Sequence, residues 1–299
     1  MLSVTVTNPT SIIYTMISKQ TGNCLILLLN LRFSCLMEAL PEDCLSLVIA
    51  LTSPCDACSA AAVSTAFRTA AASDAVWESF LPPDYRDIVS RSVSPVDLSS
   101  KKDAFRRLSS APLLIDAGKK TFSIDKNTTK KIYMLSAREL SIAWSKNSLY
   151  WSWKPVDNSR FSETAELVMV SWLELHGKVN IGMLSPNTTY RAYLILQLVN
   201  RAFGLDVVPS EASIEIGNYK TNRTIHLDKN HRHGPKGLYG EEDNMIHPRG
   251  DKWLEVELGE FHSNGRKEEE VVNIWFRETN GVHLKGGIVV EGIELRPKT

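Results

Sequence analysis

The sequence predicts an α+β chain of more than one domain, a module of short helices followed by an antiparallel β-sandwich. Three observations carry this. Residues 37–84 show one helix-start signal after another and no strand alternation. From Lys119 onward, short apolar or alternating runs are separated by turn residues. No helices of about 10–15 residues separate those runs, which argues against a parallel α/β sheet.

Length and composition set the outer bounds. The chain has 299 residues, 43% apolar and 23% charged. At ~100–200 residues per domain this predicts one large or two modest domains. The composition excludes a wholly disordered chain, a collagen and a coiled coil. Lys plus Arg is 34 and Asp plus Glu is 34, so the net charge is zero. Such a chain has no general attraction for nucleic acid or anionic membrane. The balance is uneven, since residues 37–84 carry seven acids against the single base Arg68. All five cysteines lie before residue 60. A secreted disulfide scaffold would spread them through its fold, so a reducing compartment, cytoplasm or nucleus, is expected.

Residues 1–36 are read as a poorly ordered extension. The apolar run Cys24–Leu31 is far below the ~20 residues that span a bilayer. The stretch before it is rich in Ser and Thr without a helical or strand period. From Met37 the pattern tightens. Pro41, Glu42 and Asp43 mark a helix start, with acids where the helix dipole favours them. Ser53-Pro54-x-Asp56 marks a second, and Ser64 can cap a third bearing Phe67 and Arg68. Ser73-Asp74 leads into Val76, Trp77 and Phe80, and Pro82-Pro83 stops the run.

Residues 85–118 read as a connector with one helix from Ser99 to Leu108. Its bases, Lys101, Lys102, Arg106 and Arg107, read as a solvated face. Beyond it about ten strands are expected. Tyr190–Val199 and Ile288–Leu295 are apolar on both faces and should be central, and Leu167–Leu175 reads as a third such strand. Leu254, Val256 and Leu258 alternate with Trp253, Glu255 and Glu257, a half-buried strand. Val272, Ile274 and Phe276 form a similar set. Residues 229–251 read as a long polar loop.

Several local signals are weak. Cys55-x-x-Cys58 has no second Cys pair and reads as ordinary helical residues. His231, His233 and His247 sit in a Gly/Pro loop with no nearby Cys, so no metal is expected. Glu255 and Glu257 share a strand face but read as solvated rather than as a glycosidase pair. No phosphate-binding Gly loop and no Ser-His-Asp context is present, and neither a cofactor nor an enzyme activity is expected.

The segment 43–51 is the physical oddity of the helical module. It is apolar nearly all round, whereas a surface helix carries one apolar stripe. A module of this size buries only roughly 60% of its chain surface, so it cannot cover such a helix by itself. The uncovered face needs a partner, either the β domain of the same chain or another protein. Leu40-Pro41-Glu42-Asp43-Cys44-Leu45, then Val48-Ile49, Ser53-Pro54-x-Asp56, Val63-Ser64-x-x-Phe67-Arg68 and Asp74-x-x-Trp77 closely resemble an F-box. The resemblance implies a three-helix module over 37–84 that binds the Skp-type adaptor of a cullin ubiquitin ligase. It places Leu40, Pro41, Leu45, Val48, Ile49, Pro54, Val63, Ser64, Phe67 and Arg68 on the adaptor surface. The second helix is Ala-rich where many F-boxes carry Leu.

In the β region, Trp144, Tyr150, Trp151 and Trp153 lie within ten residues. Lys146-Asn147-Ser148-Leu149 reads as a hairpin loop, which sets Trp144 opposite Trp151 with Trp153 on the same face. Three indoles on one face make either a core or a platform for a sugar ring. The wider pattern resembles the phloem protein 2 domain, related to Nictaba-type plant lectins. It is carried by Tyr133-Met134-Leu135-Ser136-Ala137-Arg138, Tyr150-Trp151-x-Trp153, Arg160-Phe161-Ser162-Glu163, Leu184-Ser185-Pro186-Asn187 and Gly292-Ile293-Glu294-x-Arg296-Pro297-Lys298. This covers about 119–298 and implies a jelly-roll-like sandwich over 119–299. In lectin members two tryptophans seven residues apart line the glycan site, and Trp144 and Trp151 match that spacing. Acids from later strands join them, and Glu278 and Glu291 are assigned here to that role. With both modules, the chain resembles plant F-box proteins of the phloem protein 2-B type. That implies a non-catalytic substrate receptor whose partners are the adaptor and a glycan or glycoprotein target. A free lectin with a vestigial F-box, or a sandwich that recognises protein rather than sugar, are the alternatives.

Overall fold

The computed structural model describes residues 40–227, 246–264 and 270–298. Residues 1–39, with the expected N-terminal extension, and His231 and His233 lie outside the described residues. The described chain divides into two compact units. One comprises 40–85, 96–110 and 125–129, and the other 86–95, 111–124 and 130–298.

The helical unit starts where the spacing predicts. Helix α1, Glu42–Ala50, follows Pro41 and carries Glu42 and Asp43 in its first turn. Helix α2, Pro54–Ala60, is capped by the Ser53 hydroxyl, which accepts from the Asp56 amide at 3.2 Å. Helix α3, Thr65–Ala72, is capped by Ser64 in the same way. Helix α4, Asp74–Ser79, follows directly. Four helices therefore occupy 42–79, where the resemblance implies three. Helix α4 ends at Ser79, before Pro82-Pro83, and a separate helix α5, Tyr85–Ser90, lies almost wholly in the other unit. Helix α6, Lys101–Ser110, buries Ala104, Phe105 and Leu108. Phe105 packs on Trp77, with ring centres 5.6 Å apart, and the Trp77 indole donates to the Ala71 carbonyl at 2.8 Å.

Helix α1 packs on α3 and α4 through Leu45 and Ile49, each about 1% exposed. Burying each contributes roughly 1.5–3 kcal/mol. The facing residues are small, with Ala57, Ala60, Ala70 and Ala71 all buried. The helices approach closely enough for the Ser46 hydroxyl to donate to the Ala70 carbonyl at 3.2 Å.

The β unit holds two antiparallel sheets. The first contains β1 Leu113–Ile115, β2 Lys120–Ile124, β3 Lys131–Ser136, β5 Trp151–Lys154, β6 Thr164–Leu167, β8 Thr188–Phe203, β11 Ile246–Pro248, β12 Leu254–Ser263 and β14 Gly286–Pro297. Its order is β1-β2-β3-β14-β8-β12-β11, with β6 pairing β14 and β5 pairing β6. The second runs β10-β9-β13-β7-β4, from β4 Ser141–Ile142, β7 Leu173–Asn180, β9 Ser210–Ile216, β10 Tyr219–Ile225 and β13 Val271–Glu278. The sheets meet closely at Gly177, where an added Cβ would stand 3.0 Å from Ile293 Cδ1.

Strands β8 and β14 are central, as their two-sided apolar runs predict. Leu167–Leu175 is not one strand. It divides into β6 and β7, which belong to different sheets, and residues 168–172 carry the chain from one sheet to the other. The outward face of the first sheet is covered rather than solvated. Met134, Ile195, Val289, Phe161 and Trp253 form a buried cluster there, and the Trp253 indole donates to the Asn158 carbonyl at 3.2 Å. Glu255 and Glu257 are likewise paired, with Arg296 and Arg223 respectively.

Candidate functional site: a helix stripe and a tryptophan loop

Helix α1 divides its apolar residues between two faces. Leu45, Ser46 and Ile49 are buried, while Leu47 and Leu51 are 66% and 65% exposed. Cys44 is exposed and Val48 half-buried. Positions 44, 47, 48 and 51 follow the i, i+3, i+4, i+7 spacing of one helix face. The solvent side of α1 is thus an apolar stripe, begun by the exposed Pro41 and half-exposed Leu40. Of the residues the resemblance assigns to the adaptor, Arg68 is also exposed, and Val63 and Ser64 are half-buried. Leu45, Ile49, Pro54 and Phe67 instead face into the module. They hold the stripe up rather than forming it. Cys44, Leu47 and Leu51 are not among the residues assigned to the adaptor, and their signal is the helical period of the 44–51 run.

The second set lies in the connection from β4 to β5. The predicted hairpin is not formed. Strand β4 pairs with β7 in the second sheet, and β5 pairs with β6 in the first. The crossing is a sequence of turns in which Trp144 takes φ +63°. Trp144 is 60% exposed, with Tyr150 edge-on at 6.2 Å. Trp151 is 2% exposed, and its indole donates to the Ala143 carbonyl at 3.0 Å. Trp153 donates to the Ser145 carbonyl at 3.0 Å and lies under the Arg138 guanidinium, 3.6 Å from its ring centre. Trp144 and Trp151 therefore share no exposed face. Two sheets part at this loop, and a local hairpin register cannot describe it.

The two assigned acids are buried as well. Glu278 is 4% exposed and ion-paired with Lys285. Glu291 is 1% exposed and accepts from the Arg160 amide at 2.6 Å and the Ser159 hydroxyl at 3.2 Å. Burial pushes the Glu291 carboxyl above its ordinary pKa, against the pull of Arg160. Three residues further on, burial also works to raise Glu294. There Arg160, Arg296 and Arg249 outweigh it, and the carboxyl ends below its ordinary range. Glu294 accepts from Arg160 at 2.6 Å and from Arg249 at 3.0 Å. It ties the segments that carry those two arginines to β14. Of the four residues assigned to glycan, only Trp144 presents a ring to solvent.

Among the described residues, no cluster of His, Cys, Asp and Glu could hold a metal ion. No described helix is long and apolar enough to cross a membrane.

A capped helical module with an apolar outer stripe and a two-sheet antiparallel domain are the two parts of an F-box protein with a β domain. The F-box domain profile matches residues 37–79, and the phloem protein 2 profile matches residues 130–297. The chain belongs to the phloem protein 2 family, in its F-box-bearing branch. The F-box protein PP2-B15 of Arabidopsis thaliana is 44% identical over 280 residues, covering 87% of this chain and 96% of that protein. The F-box protein VBF of the same plant is 42% identical, covering 88% of this chain and 100% of that protein. Among solved structures, a ruminal GH26 endo-beta-1,4-mannanase overlaps 56% of this chain and 26% of its own, at 10% identity and TM-score 0.27. That likeness is too slight to carry an argument.

Proposed function

We propose that this chain is the substrate-recognition subunit of a Skp–cullin–F-box ubiquitin ligase, with no catalytic chemistry of its own. The observation that carries this reading is the divided helix α1. Its inner face is satisfied within the module, while Leu47 and Leu51 stay out in solvent. An uncovered apolar stripe of this kind needs a partner. In an F-box that partner is the adaptor, and the ubiquitin chemistry belongs to other subunits. The β domain holds the target. Cys44, Cys55 and Cys58 carry free thiols, which suits work in the cytoplasm or nucleus.

The test is capture of a purified Skp-type adaptor. Leu40→Ala with Pro41→Ala should abolish capture while the β domain stays folded, since truncating interface anchors commonly costs ~2 kcal/mol or more. Capture unchanged in the double variant would remove the reading. A second reading, glycan recognition, is favoured by the exposed Trp144 ring alone. A glycan array separates the two modes of target recognition.

A further inference from the structure

We infer that the β unit binds its protein target at one end, through an apolar crown formed by four connections. The inference rests on the substrate-receptor reading and names the class of target. The connections are β4–β5, β6–β7, β8–β9 and β13–β14. Antiparallel pairing brings all four to the same end of the sheets, because β4, β6, β8 and β13 finish where β5, β7, β9 and β14 begin. Direct contacts join them. The Val168 amide donates to the Tyr150 carbonyl at 2.8 Å, and Val170 and Lys285 exchange backbone hydrogen bonds at 2.9 and 2.8 Å. An added Cβ on Gly286 would overlap the Val168 carbonyl, and one on Gly204, at φ +69°, would overlap the Leu284 carbonyl.

Apolar side chains on this end point outward. Trp144 is 60% exposed, Val168 45%, Trp172 45%, Phe203 45%, Val282 73% and Leu284 54%. Nine of the fourteen exposed large apolar side chains among the described residues lie in or beside these four connections, so the end is a patch rather than a scatter. Single apolar residues scattered over a surface need no explanation, whereas a cluster of them at one end marks an interaction site. Within the run 168–172, Val168, Met169 and Trp172 face outward, while Val170 is buried and holds the run to Lys285.

The chemistry of the patch selects among occupants. Most of its side chains are aliphatic, and the acids assigned to a sugar site are buried, which disfavours a glycan. Exposed bases are few. Lys146 stands in the first connection, and Arg201, 86% exposed, borders the patch. An anionic membrane surface calls for a cluster of about 4–8 bases. A second copy would set Lys146 against its own counterpart. Asp206 is the only acid in the four connections. The occupant that fits is a segment of another protein, apolar on the docking side and flanked by acidic residues.

The test uses the full chain bound to its adaptor and a displayed library of random 16-residue peptides. Selected peptides should carry an apolar face with acidic flanks. Trp172→Ser and Leu284→Ser should each weaken the selected peptides at least tenfold, with melting temperature and adaptor binding unchanged. Lys146→Glu should shift selection toward basic flanks. No enrichment, or peptides indifferent to these substitutions, would overturn the inference and leave the receptor reading intact, since adaptor binding is scored in the same samples. Substitution-sensitive binding to phosphatidylcholine–phosphatidylserine vesicles or to arrayed glycans in place of peptides would overturn it too. So would a dimer in sedimentation that dissolves on Trp172→Ser.

Discussion

Trp144 and Trp151 are seven residues apart, yet the first is 60% exposed and the second 2%. The boundary between them is the crossing from one sheet to the other. Trp151→Ala should therefore cost about 3–5 kcal/mol, as for other buried aromatics. Trp144→Ala should stay within ~0.5 kcal/mol. Urea unfolding of the two variants checks this, and equal losses would mean that both rings share one environment.

His176 and Trp275 are a cross-strand pair whose rings stack face to face, 3.6 Å apart and within 1° of parallel. Burial lowers the His176 pKa below its ordinary value of 6.5, opposed by the hydrogen bond to Asn273. A depressed histidine keeps its proton off in the folded state. Its contribution to stability is present above pH 6.5 and is lost as pH falls through the folded pKa. Titration of the His176 ring by NMR should give a midpoint below 6.5, and a midpoint at or above it would contradict the burial.

Glu294 anchors Arg160 and Arg249 to β14 from an almost fully buried position. Glu294→Gln leaves these arginines facing a neutral group, and breaking a buried pair from one side costs about 3–5 kcal/mol. The carboxylate's contribution is present at neutral pH and is lost as pH falls through its depressed folded pKa. Denaturation at pH 7 should show the loss in Glu294→Gln, and the gap to the parent should narrow in acid.

The legible parts of the fold were those set by short-range chemistry. Ser53 and Ser64 cap the helices that their spacing predicts. Strands β8 and β14 are central because two-sided apolar runs of that length have nowhere else to go. What failed depended on which apolar residues would be covered. Leu167–Leu175 reads as one core strand, but its middle crosses between sheets, with Val168, Met169 and Trp172 exposed and Val170 buried. The 142–153 stretch reads as a hairpin, but non-local pairing with β7 and β6 overrides the local register. Trp253 reads as outward-facing, and the segment around Asn158 covers it. In the candidate site, the motif fixes the start of α1, yet exposure on that helix falls partly on residues not assigned to the adaptor, Cys44, Leu47 and Leu51.

Leu45 and Leu47 separate the two faces of α1, one 1% and the other 66% exposed. Leu45→Ala should lower stability by about 2–5 kcal/mol through the cavity it leaves. Leu47→Ala should leave the melting temperature of the helical unit nearly unchanged. Calorimetry of the two variants checks the assignment, and a larger loss for Leu47→Ala would reverse it.

The most direct test of the receptor account is the affinity of the full chain for a purified Skp-type adaptor, measured by calorimetry with Leu47→Asp and Leu51→Asp. The account predicts that each charge on the stripe weakens binding at least tenfold while the folded state is kept. Parent-like affinity in both variants would contradict the claim that this face of α1 docks the ligase.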